Sequence, residues 1–167
     1  MQAMVLTLIG KDKPGLVDEI AKCIIDVEGN WLKSSFCQLS GQFAGFIEVM
    51  LPAEKQNDLV HACHQLAHLH ITLVPSQIHE QSLNTKAILQ VTGNDRRGIV
   101  SDITSTLKSF DINILEMTTQ CESAPNWGSS LFTAKVTISV AKSMDLDKVK
   151  LAIEDITDDL MVEIEKS

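Results

Sequence analysis

Two short loops carry residue types that can bind an anion. Residues 10–15 read GKDKPG and residues 93–98 read GNDRRG, and each run joins a strand-like segment to a helix-like one. At such a junction the unpaired amides and the dipole of the helix favour a carboxylate or a phosphate. Neither loop continues with the Gly-Lys-Ser/Thr of a Walker motif.

These loops also have a purely structural interpretation. Gly10 and Gly15 would then permit a tight turn and close packing of the helix, and Asp12 would cap free amides of the helix. From the residues alone, an anion site and a structural turn both stay open.

Three histidines form a second cluster with possible metal chemistry. His61, His64 and His68 are spaced i, i+3 and i+7, so they share one arc of a predicted helix. The predicted buried stripe lies on the other side of that helix and is formed by Leu59, Cys63, Leu66 and Ala67. Because no carboxylate is placed to orient the imidazole rings, we predict no metal site and no cofactor.

Cysteine usage points the same way. The cysteines stand far apart with no Cys-x-x-Cys pair, at positions Cys23, Cys37, Cys63 and Cys121. This excludes the usual motifs of thioredoxin-like proteins, zinc ribbons and metallochaperones, and predicts reduced thiols in a cytoplasmic protein.

An internal repeat positions the two loops. Residues 5–17 align with residues 88–100 at an offset of 83, and the alignment continues without a gap. The residues of the first copy that recur as identities are Gly10, Asp12, Gly15, Val17, Ile20, Asn30 and Leu32. We therefore predict two domains, 1–79 and 86–167, joined by a polar linker at 80–85.

Each copy predicts the same series of elements. In the first copy an apolar run at 4–9 is typical of a strand, and apolar residues from 16 to 27 recur at helical spacing, with Gly29 expected to end the helix. Two strands at 31–39 and 43–51, a helix opened by Pro52 and a strand at 71–78 complete it. The order β-α-β-β-α-β predicts an α+β fold of two tandem ferredoxin-like sandwiches, each an antiparallel sheet with helices on one face. A domain of about 80 residues has a small core, so we expect pairing between the two copies or between chains, and predict a homodimer.

Composition and charge restrict the function. Of 167 residues, 44% are hydrophobic and 22% charged, which is typical of a globular protein, and 22 acidic against 14 basic residues give a net charge of −8. The acidic excess disfavours direct nucleic-acid binding and anionic membranes. No apolar stretch approaches the roughly 20 residues of a membrane span, and the first residues lack the basic start of a secretory signal, so we expect a cytoplasmic protein.

The repeated loop supports a resemblance to a known family. A G-x-D-[KR]-x-G-[LI]-V loop that opens a β-α-β-β-α-β unit, with Asn at the start of the second strand, resembles the ACT domain, a regulatory module of amino-acid metabolism. Two tandem copies over nearly the whole chain resemble the glycine cleavage system transcriptional repressor family. One departure from the ACT loop is that Arg97 replaces the proline found at Pro14.

The resemblance implies a ligand site in each copy. ACT domains hold small effectors, often amino acids, between this loop and the start of the second strand. The implied residues are Asp12, Lys13, Pro14, Gly15, Leu16 and Asn30 in the first copy and Asp95, Arg96, Arg97, Gly98, Ile99 and Asn113 in the second. Amides of Gly15 and Gly98 would meet the carboxylate of the ligand, the asparagines its polar groups, and Asp12 or Asp95 its ammonium group.

The resemblance also implies how the protein acts. Members of the repressor family resemble adaptors that respond to glycine and act through a LysR-type activator, without holding DNA themselves. The acidic charge of this chain fits such indirect action. We therefore expect a non-enzymatic regulator of the glycine cleavage operon whose effector is glycine or another small amino acid.

Two further interpretations stay open. Trp127 lies in a polar hairpin loop, where it would either contact a partner protein or pack locally. An acylphosphatase-like hydrolase on the same fold is the alternative function, with Arg96 or Arg97 as the anion-binding arginine and Asn113 as the residue that orients water.

Overall fold

The computed structural model describes residues 1–76, 84–123 and 130–166. The chain divides into two compact units, Met1–Glu80 and Gln81–Ser167. Each unit contains a four-stranded antiparallel sheet. Within the described part of the chain, no helix is both long enough and apolar enough to cross a membrane.

The first unit has the predicted order of elements. They are β1 (Gln2–Lys11), α1 (Leu16–Asp26), β2 (Asn30–Leu39), β3 (Gln42–Leu51), a 3₁₀ turn (Ala53–Lys55), α2 (Gln56–Gln65) and β4 (Leu69–Pro75). The strand order in the sheet is β2-β3-β1-β4. The two central strands, β1 and β3, therefore carry the core of this unit.

The second unit repeats the order. Its elements are β5 (Thr85–Asn94), α3 (Ile99–Ser109), β6 (Asn113–Ser123), β7 (Ser130–Val140), α4 (Leu146–Glu154) and β8 (Met161–Lys166). The strand order β6-β7-β5-β8 matches that of the first unit. The prediction of two β-α-β-β-α-β ferredoxin-like sandwiches is confirmed.

Helical spacing in the sequence produces the packing between the layers. Leu16, Ile20 and Ile24 are the buried residues of α1, and Ile99, Ile103 and Leu107 are their counterparts on α3. They pack on sheet residues of the same cluster, such as Leu6 in the first unit and Leu89 in the second. Each such side chain contributes roughly 1.5 to 3 kcal/mol of stability by leaving water.

The end of α1 differs from the prediction that Gly29 ends it. The left-handed residue is Glu28, with φ 60°, and Gly29 donates its N–H to the carbonyl of Ile24 at 2.8 Å. This is a Schellman motif, in which the residue after the C-cap takes the left-handed conformation and the N–H of the next residue bonds back to a carbonyl in the last turn of the helix. Asp111, with φ 57°, has the same place after α3. Gly29 instead meets a packing need, because a Cβ there would lie 2.8 Å from the Ile24 carbonyl oxygen.

Candidate functional site

The glycines that precede α1 and α3 have the same backbone conformation. Gly15 and Gly98 stand immediately before α1 and α3 with φ 93° and φ 87°, in the left-handed region that favours glycine. A Cβ added at either glycine would meet no atom within 4 Å. Glycine is therefore required by the backbone rather than by crowding, and the space beside it is open.

The helix amides at both loops are not capped by a side chain. The suggestion that Asp12 caps α1 is wrong. The N–H of Asp12 instead donates to the carbonyl of Gly41 at 2.9 Å, and that of Asp95 to Ser130 at 2.8 Å, which ties each loop to the neighbouring β-hairpin. Both aspartates are exposed, so their carboxylates are accessible to a ligand.

An ion pair connects each loop to the first turns of the following helix. Lys13 Nζ lies 3.0 Å from Glu19 Oε1, and Arg96 contacts Asp102 Oδ2 at 2.6 Å. The two pairs are related by the offset of 83 residues. Because their charges are already matched within the chain, Lys13 and Arg96 position the loop more than they attract an anion.

The loops are also held from the segment that precedes the last strand of each unit, and here the two copies differ. In the first unit His68 Nε2 lies 2.7 Å from Glu19 Oε2. The hydrogen bond from Lys13 lowers the pKa of Glu19 most, desolvation opposes it, and His68 makes a smaller contribution in the same direction as Lys13. In the second unit Asp159 accepts the N–H of Asn94 at 2.8 Å, and hydrogen bonds from Thr157 and Asn94 lower the pKa of Asp159.

The position before the left-handed glycine differs as well. Pro14 and Arg97 are both exposed there. The Arg97 carbonyl accepts a hydrogen bond from Arg96 at 3.3 Å. Among the described residues, no carboxylate lies within ion-pair distance of the Arg97 guanidinium, so the second loop presents a cation that the first loop lacks at this position.

Leu16 and Ile99 belong to the cores rather than to the loop surface. Their side chains are 2% and 4% exposed and pack in the hydrophobic clusters of their units. Leu16 and Ile99 were both predicted to contact a ligand. Because their side chains are buried, only their backbone amides lie near the open space beside the glycines.

Asn30 and Asn113 are not brought to the loop of their own unit. Asn30 pairs with Met50, which pairs with Ala3 at the beginning of β1, whereas the loop follows Lys11 at its end. At about 3.4 Å per residue, the two ends are roughly 27 Å apart. Asn113 has the same relation to its loop through Ser139 and Lys86. Both asparagines are exposed.

This separation weighs against the hydrolase alternative. Arg96 and Asn113 would have to reach the same phosphate, yet Asn113 lies at the other end of the sheet from the loop. Asp102 also holds the Arg96 guanidinium in an ion pair.

The histidine cluster is dispersed by the end of α2. Leu59 and Cys63 are buried as predicted, and burial raises the pKa of the Cys63 thiol to about 11. Because α2 ends at Gln65, His68 leaves the helical arc, and the prediction that Ala67 is buried is wrong. The expectation that no carboxylate orients the rings is also wrong for His68, which contacts Glu19. Among the described residues, no three His, Cys, Asp or Glu side chains are placed to hold a metal ion. Trp127 lies outside the described residues.

Glu19, Asp102, His68 and Asp159 are site residues that the motif search missed. A signal for the first two was present, since an acid stands six residues after the basic residue of each loop. No sequence signal identifies His68 or Asp159, because the segment before the last strand is not aligned between the copies at the same offset.

Comparisons with known proteins agree with this architecture. Family models described as ACT domain match residues 2–74 and 82–162. No curated protein matches the sequence. A solved structure of a protein of unknown function from Galdieria sulphuraria is 24% identical, with a TM-score of 0.89 over 99% of this chain and 98% of that one.

A second solved structure belongs to a protein provisionally described as a glycine cleavage system transcriptional repressor. It is 15% identical, with a TM-score of 0.74 over 99% of this chain and 97% of that one. At these identities the likeness shows a shared fold that extends over both units.

Proposed function

The chain belongs to the ACT domain family, of which it contains two tandem copies, and on this premise we propose that it is a non-enzymatic regulator. A small amino acid is its effector, and contact with another protein is its output. The observation that carries the proposal is the pair of open helix starts at Gly15 and Gly98, which no side chain caps.

The loop offers partners for the two charged groups that every free amino acid carries. Backbone N–H groups at the helix start favour a carboxylate, which the helix dipole also attracts. The exposed carboxylate of Asp12 or Asp95 can accept hydrogen bonds from the ammonium group. Since these contacts need no side chain on the ligand, glycine fits them as well as a larger amino acid does, and we propose glycine as the effector.

The asparagines would take part only across an interface. Asn30 and Asn113 lie roughly 27 Å along the sheet from the loop of their own unit, so an effector held by a loop and an asparagine together would need the asparagine of the other unit or of another chain. We also propose a homodimer, because a domain of about 80 residues has a small core.

The proposed target is a LysR-type activator of the glycine cleavage operon, which the effector would make accessible or inaccessible to this regulator. The fold shared with a protein provisionally described as a glycine cleavage system transcriptional repressor supports this target. The net charge of −8 supports indirect action, since a DNA-binding surface draws much of its affinity from basic residues. Such a regulator would act in the cytoplasm.

Calorimetric titration of the purified protein with glycine, serine and threonine tests the effector. We expect binding heat with glycine, and loss of that heat in the Gly15→Ala, Gly98→Ala double variant. Gly41→Ala is the matched control, because Gly41 has φ 79° and also has no atom within 4 Å of an added Cβ. Equal loss of heat in the control would show that strain, rather than loop contact, is measured.

The partner is tested separately. A purified LysR-type activator bound to its operator should be supershifted or released by this protein in a glycine-dependent manner. If the mobility of the activator–operator complex does not change on adding the protein, with or without glycine, the adaptor role is refuted. The proposal that the protein binds an effector would not be affected by that result.

A further inference from the structure

The sheet of the first unit has one face without helices, and several apolar side chains lie on it. We call this surface the open face. Its three middle rows across the strands are Lys33, Glu48, Val5 and Val74; then Ser35, Phe46, Thr7 and Thr72; then Cys37, Ala44, Ile9 and His70. Phe46, Ile9 and Val74 are 52%, 48% and 46% exposed. Phe46 lies in the middle row on a central strand.

The same face of the second unit is more polar at its centre, although Met161, 66% exposed, lies at its edge. Pairing registers place Lys135 where the first unit has Phe46, because Lys135 pairs with Gln90 and Phe46 pairs with Thr7, the repeat counterpart of Gln90. By the same correspondence Thr92 replaces Ile9 and Glu165 replaces Val74. Since both units have the same fold, this contrast reflects different surroundings of the two faces rather than a need of the sheet itself.

We propose that the open face of the first unit is the interface of a homodimer, in which it stacks on the open face of a second copy. This assignment rests on the homodimer of the proposed function and names its surface. Stacked sheets of this kind pack about 10 Å apart and are held by interdigitated side chains.

The size of the face suits a second copy. Four strands about 4.8 Å apart span at most roughly 19 by 27 Å, since β1, β2 and β3 each have about five outward residues and the shorter β4 has three. Two such faces would together bury at most about 1,000 Å², which is close to the lower limit for a specific interface between proteins. A shallow groove of about 240 Å³ beside Phe46, lined by Val5, Lys33 and Glu48, can accept an apolar side chain from the partner.

The charges of the face also allow a two-fold arrangement. An axis that crosses the strands at Phe46 brings the two Phe46 rings together and reverses the strand direction. The row with Lys33 and Glu48 then faces the row with Cys37 and Ala44 of the second copy. No carboxylate meets a carboxylate, so the net charge of each chain is not concentrated at this contact.

The polar face of the second unit keeps such an assembly closed. A self-complementary patch that occurs once per chain pairs two chains and stops. Two apolar faces per chain would instead let chains join in an open series. Lys135 prevents this, because it puts an ammonium group at the centre of the face, where the open face has Phe46.

A matched pair of variants tests the proposal by analytical ultracentrifugation. Phe46→Lys and Ile25→Lys each give an exposed apolar position the residue found in the second copy, Lys135 and Lys108 respectively. Ile25 lies on α1 and is 69% exposed, away from the open face. We expect the wild type and Ile25→Lys to sediment at twice the chain mass of 18.4 kDa, and Phe46→Lys to show at least a tenfold larger dissociation constant.

Several results would overturn the assignment. These are a wild type that is monomeric at 100 µM, a Phe46→Lys variant that dimerises as the wild type does, or equal weakening by Ile25→Lys. Circular dichroism and thermal unfolding of both variants show whether they fold. A dimer that forms through a strand edge would survive Phe46→Lys, so that outcome also refutes the open face.

Thiol alkylation gives an independent measurement on the wild type. Cys37 is exposed on the open face, whereas Cys121 pairs with Phe132, whose side chain points to the helices of the second unit. The alkylation rate of Cys37 should fall as protein concentration rises through the dimer range, while that of Cys121 stays constant. Unchanged rates for both thiols would contradict stacking.

These experiments distinguish failure of the dimer interface from failure of the proposal that glycine is the effector. Absence of glycine heat in a wild type whose dimer is lost in Phe46→Lys would refute the effector and support this interface. Glycine heat in a monomeric wild type would do the reverse.

Discussion

Gly10 and Gly15 lie at the two ends of one loop but should respond very differently to alanine. A Cβ at Gly10 would lie 2.6 Å from the carbonyl oxygen of His68 and 2.7 Å from Leu69 Cδ2. Gly10 pairs with Leu69 in the sheet, so that carbonyl cannot move without disturbing the ladder between β1 and β4. At Gly15 the added Cβ meets nothing, and only the φ of 93° is unfavourable.

The magnitudes follow from these two mechanisms. Forcing an extra carbon into packed surroundings costs about 1 to 3 kcal/mol and more against rigid backbone, so we expect Gly10→Ala to lower the free energy of unfolding by about 3 kcal/mol. The left-handed conformation costs alanine about 1 to 2 kcal/mol, and alanine recovers up to about 1 kcal/mol by restricting the unfolded chain. Gly15→Ala should therefore lower stability by only about 1 kcal/mol.

Urea denaturation of the first unit can measure the difference. Trp31 packs near Phe36, with ring centroids 6.0 Å apart, so its fluorescence reports on this unit in a Trp127→Phe background. The urea concentration at the midpoint of unfolding should fall much further for Gly10→Ala than for Gly15→Ala. The slope of the free energy of unfolding against urea concentration should stay the same in both variants. Equal losses, or a loss below about 0.5 kcal/mol for Gly10→Ala, would refute the crowding argument. Because Gly15→Ala should stay folded, its loss of effector binding can be assigned to the loop.

Three other perturbations have definite directions. Glu28→Gly should raise the free energy of unfolding by about 0.5 to 1 kcal/mol, because φ 60° suits glycine; a destabilised variant in urea denaturation would contradict this. Glu19→Gln should make the free energy of unfolding depend less on pH in the acid range. Since Lys13 lowers the pKa of Glu19, the wild-type contribution is present above the unfolded-state pKa and is lost as pH falls through the folded value; superimposable acid-unfolding curves would count against it. Cys63, whose pKa burial raises to about 11, should alkylate more slowly at pH 8 than exposed Cys37, and comparable labelling in mass spectrometry would show that α2 opens.

The offset of 83 residues carried most of the fold prediction. It located both loops, and apolar spacing located the elements around them, because each helix buries one stripe and each central strand one face. Apolar spacing did not predict where the helices end, because the end of a helix depends on local backbone geometry. Leu66 and Ala67 continue the apolar spacing of α2, yet the helix ends at Gln65, and left-handed Glu28 has no signal in residue type.

The site was only partly accessible from the sequence for a related reason. The loop residues adjoin in sequence and therefore adjoin in space, so their grouping was secure. Asn30 was joined to them by resemblance, and the strand register separates them. His68 and Asp159 reach the loops through pairing of the last strand with the first, which is a long-range contact that spacing along the chain cannot report.

The differences between the copies bear on how many effectors the chain holds. Both loops keep the left-handed glycine, the uncapped helix start and the ion pair that positions them. Only the second adds Arg97, whose guanidinium can meet the same carboxylate as the helix amides. If both loops bind, the second should bind glycine more tightly, and Arg97→Pro should bring it to the affinity of the first. A titration that shows one equivalent of glycine in the wild type and none in Gly98→Ala would instead restrict sensing to the second copy and leave the first to assembly.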